Sequence, residues 1–173
     1  MRRFPLRYSE KIRAAGVVRL ATPEDTQTIS AIEEDSFPED EKATLETIQM
    51  RCAVAGKYFY VLTDEKENEL IGYINGTCIE ESYITHESMK THHPNGSTLV
   101  LHSVTVKSSY RRQGQATFLL RAYLELMEAD RDIQSILLLC KSDLCRFYSN
   151  CGFQMVGVSS VVHGQVSPIS VPS

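Results

Sequence analysis

The sequence predicts a single α/β (α+β) domain, a mixed sheet with helices packed on its faces. Three observations lead there. Apolar residues alternate in some segments and recur at helical spacing in others, in the order β-α-α-β-β-β-α-β-α-β-β. The length, 173 residues, suits one domain that buries its own core. The composition is 42% hydrophobic and 23% charged with a mean hydropathy of -0.21, which is that of a globular chain.

Each element has a local reason. Residues 1–15 are a basic arm without the apolar core of a secretion signal. VVRLA (17–21) alternates and reads as a strand. In Thr22-Pro23-Glu24-Asp25 the threonine suits an N-cap, the proline the first helical position, and the acids the positive end of a helix carrying Ile29, Ile32 and Glu33. Phe37-Pro38 ends that helix and opens the acidic loop PEDEK. A second helix follows Thr44, with Leu45, Ile48 and Cys52 at helical spacing and Gly56 as its stop. YFYVLT (58–63) and LIGYINGTCIE (70–80) form a hairpin across a polar turn. The connector ESYITHESMKTHHPNG is expected to be part helix, closed by Pro94-Asn95-Gly96. STLVLHSVTV (97–106) is a long apolar strand, and Ala116, Leu119, Leu120, Tyr123, Leu124 and Met127 mark an amphipathic helix. SILLLC (135–140) suits a buried strand, LCRFYSN a short helix ended by Gly152, and FQMVGV with SVVHGQV a closing antiparallel pair. The domain is expected over 16–167, with a Ser/Pro-rich fraying tail at 168–173.

Composition excludes several classes of partner. With 18 basic and 22 acidic residues the chain carries a net charge of -4, which disfavours nucleic acid and favours small cations. No apolar run is long enough to span a membrane. The five cysteines show no pairing pattern and read as free thiols of a reducing compartment, the cytoplasm. His86, His92 and His93 have no carboxylate or cysteine at ligand spacing, so no metal is expected.

The strongest motif is Arg111-Arg112-Gln113-Gly114-Gln115-Ala116, between the strand ending at Val106 and the amphipathic helix. A glycine at a helix start lets free backbone N–H groups and the helix dipole meet a phosphate, and two arginines add charge. It is neither a Walker loop nor a three-glycine dinucleotide fingerprint. Taken alone it is equally a helix start with solvated arginines.

The element order, this Arg-x-x-Gly-x-Ala turn and a later FY..CGF segment resemble the GNAT superfamily of N-acetyltransferases. ITHESMKTHHPNGSTLVLHSVTV, RRQGQATFLLRAYLELM and LLLCKSDLCRFYSNCGFQMVG look like its arylalkylamine N-acetyltransferase branch, the serotonin N-acetyltransferase group. The likeness runs from about Val17 to Val166; the first third matches mainly in element order and in SFPEDE. It implies a mostly antiparallel sheet with splayed fourth and fifth strands. Acetyl-CoA would enter that gap along Val104, Thr105 and Val106, with its pyrophosphate on Arg112, Gln113, Gly114, Gln115, Ala116 and Thr117. It further implies transfer of acetyl to the primary amine of an arylalkylamine, or of a polyamine.

The resemblance also assigns roles. The second histidine of the family's His-Leu-His stretch matches His102, and the first is Val100 here. A histidine of ordinary pKa about 6.5 suits proton removal through a water; by its sequence setting alone His102 reads more readily as a core or rim histidine. Tyr148 matches the family's general acid, which protonates the departing thiolate; from sequence it is also a plausible core tyrosine beside Phe147 and Phe153. Phe37, Val104 and Leu139 match acceptor-pocket positions. The acidic run Glu33 to Glu41 reads as a solvated loop or as a negative mouth that attracts cationic amines. Cys140 as a covalent nucleophile ranks low, because no base is placed beside it by sequence. The expectation is a monomer taking a small amine and no metal. The alternatives are a protein or peptide N-acetyltransferase of the same superfamily and a non-catalytic acetyl-CoA sensor.

Overall fold

The computed structural model describes residues 16–157, residue 161 and the backbone of residues 166–171. Its elements are β1 (Gly16–Leu20), α1 (Thr26–Ser36), α2 (Leu45–Val54), β2 (Phe59–Asp64), β3 (Glu69–Ile79), β4 (Thr98–Val106), α3 (Gln115–Ala129), β5 (Ser135–Lys141), α4 (Cys145–Asn150), β6 (Gln154–Met155) and β7 (Val166–Val171). They form one sheet in the order β1-β2-β3-β4-β5-β7-β6. All neighbouring strands are antiparallel except β4 and β5, which run parallel because α3 carries the chain back between them.

The helix starts are built as their residues require. A 3₁₀ turn at Pro23–Asp25 leads into α1. Asp25 Oδ2 accepts the Thr22 N–H at 2.8 Å, and Arg19 forks onto both Asp25 oxygens at 2.7 and 2.9 Å. That guanidinium holds the Asp25 carboxyl below the usual range. Thr44 caps α2 by accepting the Thr47 N–H at 3.2 Å.

Two clusters cover the two faces of the sheet. On one face α3 and α4 bury Leu119, Leu120, Tyr123 and Tyr148 against Leu62, Ile74 and Leu99. On the other, Ile29 and Ile32 of α1 and Ile48 of α2 pack on Phe59, Val61 and Tyr73. Burial of side chains such as these contributes about 1.5–3 kcal/mol each.

Two expectations are corrected. The connector from 81 to 96 holds no helix; it is a series of turns, one closed by Thr85 and Ser88, whose side chains each accept the other's N–H, at 3.1 and 2.7 Å. The closing strand of the described residues is Val166–Val171, paired with both β5 and β6. The tail expected to fray from residue 168 therefore lies inside β7; Pro168, which has no N–H, pairs with β5 alone, because β6 covers only Ile169 and Ser170. Most of the expected strand at 160–166, and the arm at 1–15, lie outside the described residues.

Candidate active site

The site begins with a break in strand register. Between β3 and β4, Asn75 stands opposite Ser103 while Gly76 stands opposite Leu101, so His102 is the extra residue of a β-bulge. Gly76 permits the close approach there: a Cβ at this position would lie 2.8 Å from Val100 O. Beyond the bulge β4 leaves β5. The parallel pairing covers only Thr98 to Leu101 against Ser135 to Leu138. From His102 to Val106, β4 keeps β3 on one side and has no strand on the other among the described residues; Leu139, Cys140 and Lys141 continue β5 away from it. The expected splay is therefore present, and it opens beside Val104, Thr105 and Val106.

His102 is half-buried, and its Nε2 lies 2.7 Å from Thr77 Oγ1. Its Nδ1 is sealed from solvent and has no hydrogen-bond partner among the described residues. Burial, with a smaller contribution from Arg51, drives its pKa well below the ordinary value, so the imidazole is neutral at pH 7. A neutral ring is the form that can accept a proton.

Tyr148 comes from α4, which follows β5. The side chain is 8% exposed, and its ring meets Phe147 at 4.9 Å and Phe153 at 5.7 Å, edge to face. Burial, then Cys140 and Cys151, push its pKa up, so the phenol stays protonated. Cys140 is buried, its Sγ lies 3.8 Å from Cys145 Sγ, and burial pushes its thiol up to about 12. A thiol so rarely ionised is a poor nucleophile.

The turn before α3 has the shape of an anion cradle. Arg112 and Gly114 adopt positive φ, 61° and 82°. The first helical bond is Phe118 N–H to Gly114 O at 2.9 Å, so the N–H groups of Gln115, Ala116 and Thr117 precede the ladder. The Gln115 side chain is buried and its Oε1 has no partner among the described residues. These groups, with the open edge of β4, fit a pantetheine pyrophosphate. Arg112 and Gln113 are exposed; Gln113 Nε2 donates to Ser109 O at 3.0 Å. Arg111 is a strap: its Nε donates to Val106 O at 3.0 Å and its Nη2 to Ser36 Oγ at 2.8 Å.

On the acceptor side, Phe37 caps α1 and is half-buried. Glu41 of the loop it opens meets Lys141 Nζ at 2.7 Å, which fastens that loop over the outer part of β5. Leu139, half-buried, lies two residues earlier on the same side of β5, where strand alternation puts both. Val104 is on the opposite side: it pairs with Ile74 and packs against the cluster beneath α3. The structure thus brings the Phe37 loop and Leu139 to one face but not the Val104 side chain.

Several polar residues of this region carry no sequence signal. Glu33, 2% exposed, accepts the Ala43 N–H at 2.8 Å and the Tyr73 hydroxyl. Arg51, 9% exposed, donates to Met89 O at 3.4 Å. Their partners are distant in sequence, and only a helical face containing both a charge and isoleucines hinted at Glu33. Of the histidines set aside as metal ligands, His92 accepts the Cys78 N–H at 3.1 Å through Nδ1, a structural link. Among the described residues, no group of three or more His, Cys, Asp or Glu is arranged to hold a metal, and no helix is long and apolar enough to cross a membrane.

Comparison with known proteins gives this geometry a context. The chain is 29% identical over 162 residues to a serotonin N-acetyltransferase of Mesocricetus auratus, covering 88% of this chain and 74% of that protein. The GphF GNAT-like decarboxylase in complex with isobutyryl-CoA shares the fold with a TM-score of 0.78 at 16% identity, covering 90% of this chain and 98% of the other. AAC(6')-Ib in a complex with acetyl-CoA does so with a TM-score of 0.68 at 18% identity, covering 91% and 93%. The sequence model of the acetyltransferase (GNAT) family matches residues 26–153, a span that takes in both splayed strands and the turn before α3. The chain belongs to the acetyltransferase (GNAT) family and is an acetyl-CoA-dependent acetyltransferase.

Proposed function

We propose that the protein acetylates the primary amine of a small arylalkylamine, or of a polyamine, by direct attack on acetyl-CoA in a ternary complex. One observation carries this reading. β4 and β5 part at Leu101 and Leu138, with the neutral His102 on the strand that leaves one lip and the protonated Tyr148 on the helix that follows the other.

Acetyl-CoA supplies the acetyl thioester when it lies in the gap. The chain's own residues do the rest. The N–H groups of Gln115, Ala116 and Thr117 hold the pyrophosphate with help from Arg112, Gln113 and Gly114. The open edge of Val104, Thr105 and Val106 pairs with the pantetheine amides, as a further strand would. His102 takes the proton from the ammonium, because only the free amine has the lone pair for attack. Tyr148 gives its proton to the departing thiolate. Phe37 and Leu139 offer apolar surface to the acceptor's body, and the carboxylates of the loop attract its charge. The serotonin N-acetyltransferase relative supports an arylalkylamine as the first choice.

The experiment is a panel of tryptamine, phenylethylamine, spermidine and a short peptide, assayed for CoA release. Arylalkylamines are expected to turn over fastest. Preference for the peptide would point to a protein acetyltransferase. Acetyl-CoA binding without CoA release for any amine would point to a sensor.

A further inference from the structure

One face of β3 and β4 is polar although it is buried. In register it carries Thr77 beside His102, then Asn75 opposite Ser103, then Tyr73 opposite Thr105. Asn75 is 1% exposed and Thr105 is 5% exposed. Both ends of the Asn75 amide, Thr105 Oγ1 and His102 Nδ1 have no hydrogen-bond partner among the described residues. Buried polar atoms are almost always satisfied, and ordered water is what satisfies those without a protein partner. Ordered water between His102 and the other end of the stripe would satisfy these atoms. That end is Glu33, whose Oε2 accepts the Tyr73 hydroxyl and whose Oε1 accepts the N–H of Ala43 in the half-buried loop.

We propose that Glu33 is the proton relay of this site, a positioning residue that receives along this stripe the proton His102 takes from the acceptor. One proton leaves the ammonium for His102. It then passes through hydroxyl and water hydrogen bonds to the Tyr73 oxygen, as Tyr73 hands its own proton to the Glu33 carboxylate. Glu33 releases it to solvent at the Ala43 end, and no other bond changes. The relay replaces what a second histidine would supply at Val100, which is fully buried and apolar. The charged and titratable groups facing the stripe are Glu33 from α1, Arg51 from α2, Tyr73 from β3 and His102 from β4. Burial pushes the Glu33 carboxyl up, against the Ala43 N–H and Arg51, which favour the ionised carboxylate.

This inference rests on the amine acetyltransferase reading, and its test separates the two. For wild type, Glu33→Gln, Glu33→Asp and Tyr73→Phe, kcat/KM for tryptamine and spermidine is measured from pH 6.5 to 9.5 alongside thermal unfolding. Glu33→Gln keeps the shape and loses the base. It is expected to lower kcat/KM near pH 7 by about ten- to a hundredfold, at or below the low end of a general base's contribution. The deficit should shrink above pH 9, where solution supplies free amine. Glu33→Asp should restore part of the neutral-pH rate. Should Glu33→Gln fail to fold, Tyr73→Phe removes only the hydroxyl link and should show the same pH-dependent deficit. A deficit equal at every pH, or no deficit, overturns the relay while leaving the activity intact. A wild-type protein that acetylates neither amine overturns the activity instead.

Discussion

Replacing Tyr148 by phenylalanine isolates the acid step with little disturbance. The variant loses one oxygen and keeps both edge-to-face contacts, at 4.9 Å to Phe147 and 5.7 Å to Phe153. Such contacts contribute about 0.5–1.5 kcal/mol each beyond burial. The ring contacts survive, so stability should change by less than about 1 kcal/mol. The effect on kcat should be far larger. Loss of a general acid is expected to cost roughly ten- to a thousandfold, or about 1.4–4 kcal/mol of barrier. Steady-state CoA release under saturating acetyl-CoA and tryptamine measures it, and calorimetric titration should find the acetyl-CoA Kd within about twofold of wild type. The pH dependence has a definite sign. Burial raises the folded-state pKa above the unfolded value of about 10, so the phenol is protonated across the assay range and gives no alkaline downturn of kcat below that value. The stability linked to it is complete below about pH 10 and is lost as pH climbs through the raised value, a loss that Tyr148→Phe escapes. A kcat within twofold of wild type in a folded variant would falsify the acid role.

Gly114→Ala forces an L side chain into φ 82°, at a cost of about 1–2 kcal/mol; acetyl-CoA affinity by calorimetry should fall roughly five- to thirtyfold, and unchanged affinity with unchanged melting would move the cradle elsewhere. Cys140→Ser should retain most activity, because a thiol pushed up to about 12 supplies almost no thiolate at pH 7; an acetylated Cys140 found by mass spectrometry would replace direct transfer with a covalent route. Val100→His should cost about 1–3 kcal/mol by burying an imidazole, yet raise the rate near pH 7 relative to the rate at pH 9. A pH profile identical to wild type would show that a histidine at position 100 does not carry the proton here.

The order of elements was readable because Thr22, Thr44 and the spaced isoleucines act locally, and the structure repeats it from β1 to β6. The splay was legible only through the family resemblance. TLVLHSVTV is too uniformly apolar to betray that His102 is the bulged residue; the register with Asn75 and Gly76, some 26 residues away, decides it. β7 was hidden by its own composition: Ser167, Pro168 and Ser170 look like a loop until β5 offers it a partner. Arg111 reads in sequence only as added charge beside the turn, but its hydrogen bonds go to Val106 O and Ser36 Oγ, partners that only the fold brings near. The same holds for Glu33 and Tyr73, 40 residues apart and joined by a single hydrogen bond. Long-range polar pairing leaves no period in a sequence.

The four-residue seam between β4 and β5 makes the sheet resemble two jaws, β1 to β4 and β5 to β7, zipped together at one end only. Past the seam, the edge of β4 that faces away from β3 has no strand neighbour among the described residues. On the proposed reading the cosubstrate is, in that sense, a missing piece of secondary structure: its pantetheine arm would supply rungs that the polypeptide withholds. Occupancy and folding are then thermodynamically one quantity. At a free acetyl-CoA concentration a hundredfold above Kd, the closed molecule gains about 2.7 kcal/mol over the empty one. For a domain of ordinary marginal stability that is a sizeable fraction of the whole, so the concentration of acetyl-CoA would set how durable the enzyme is as well as how fast it runs.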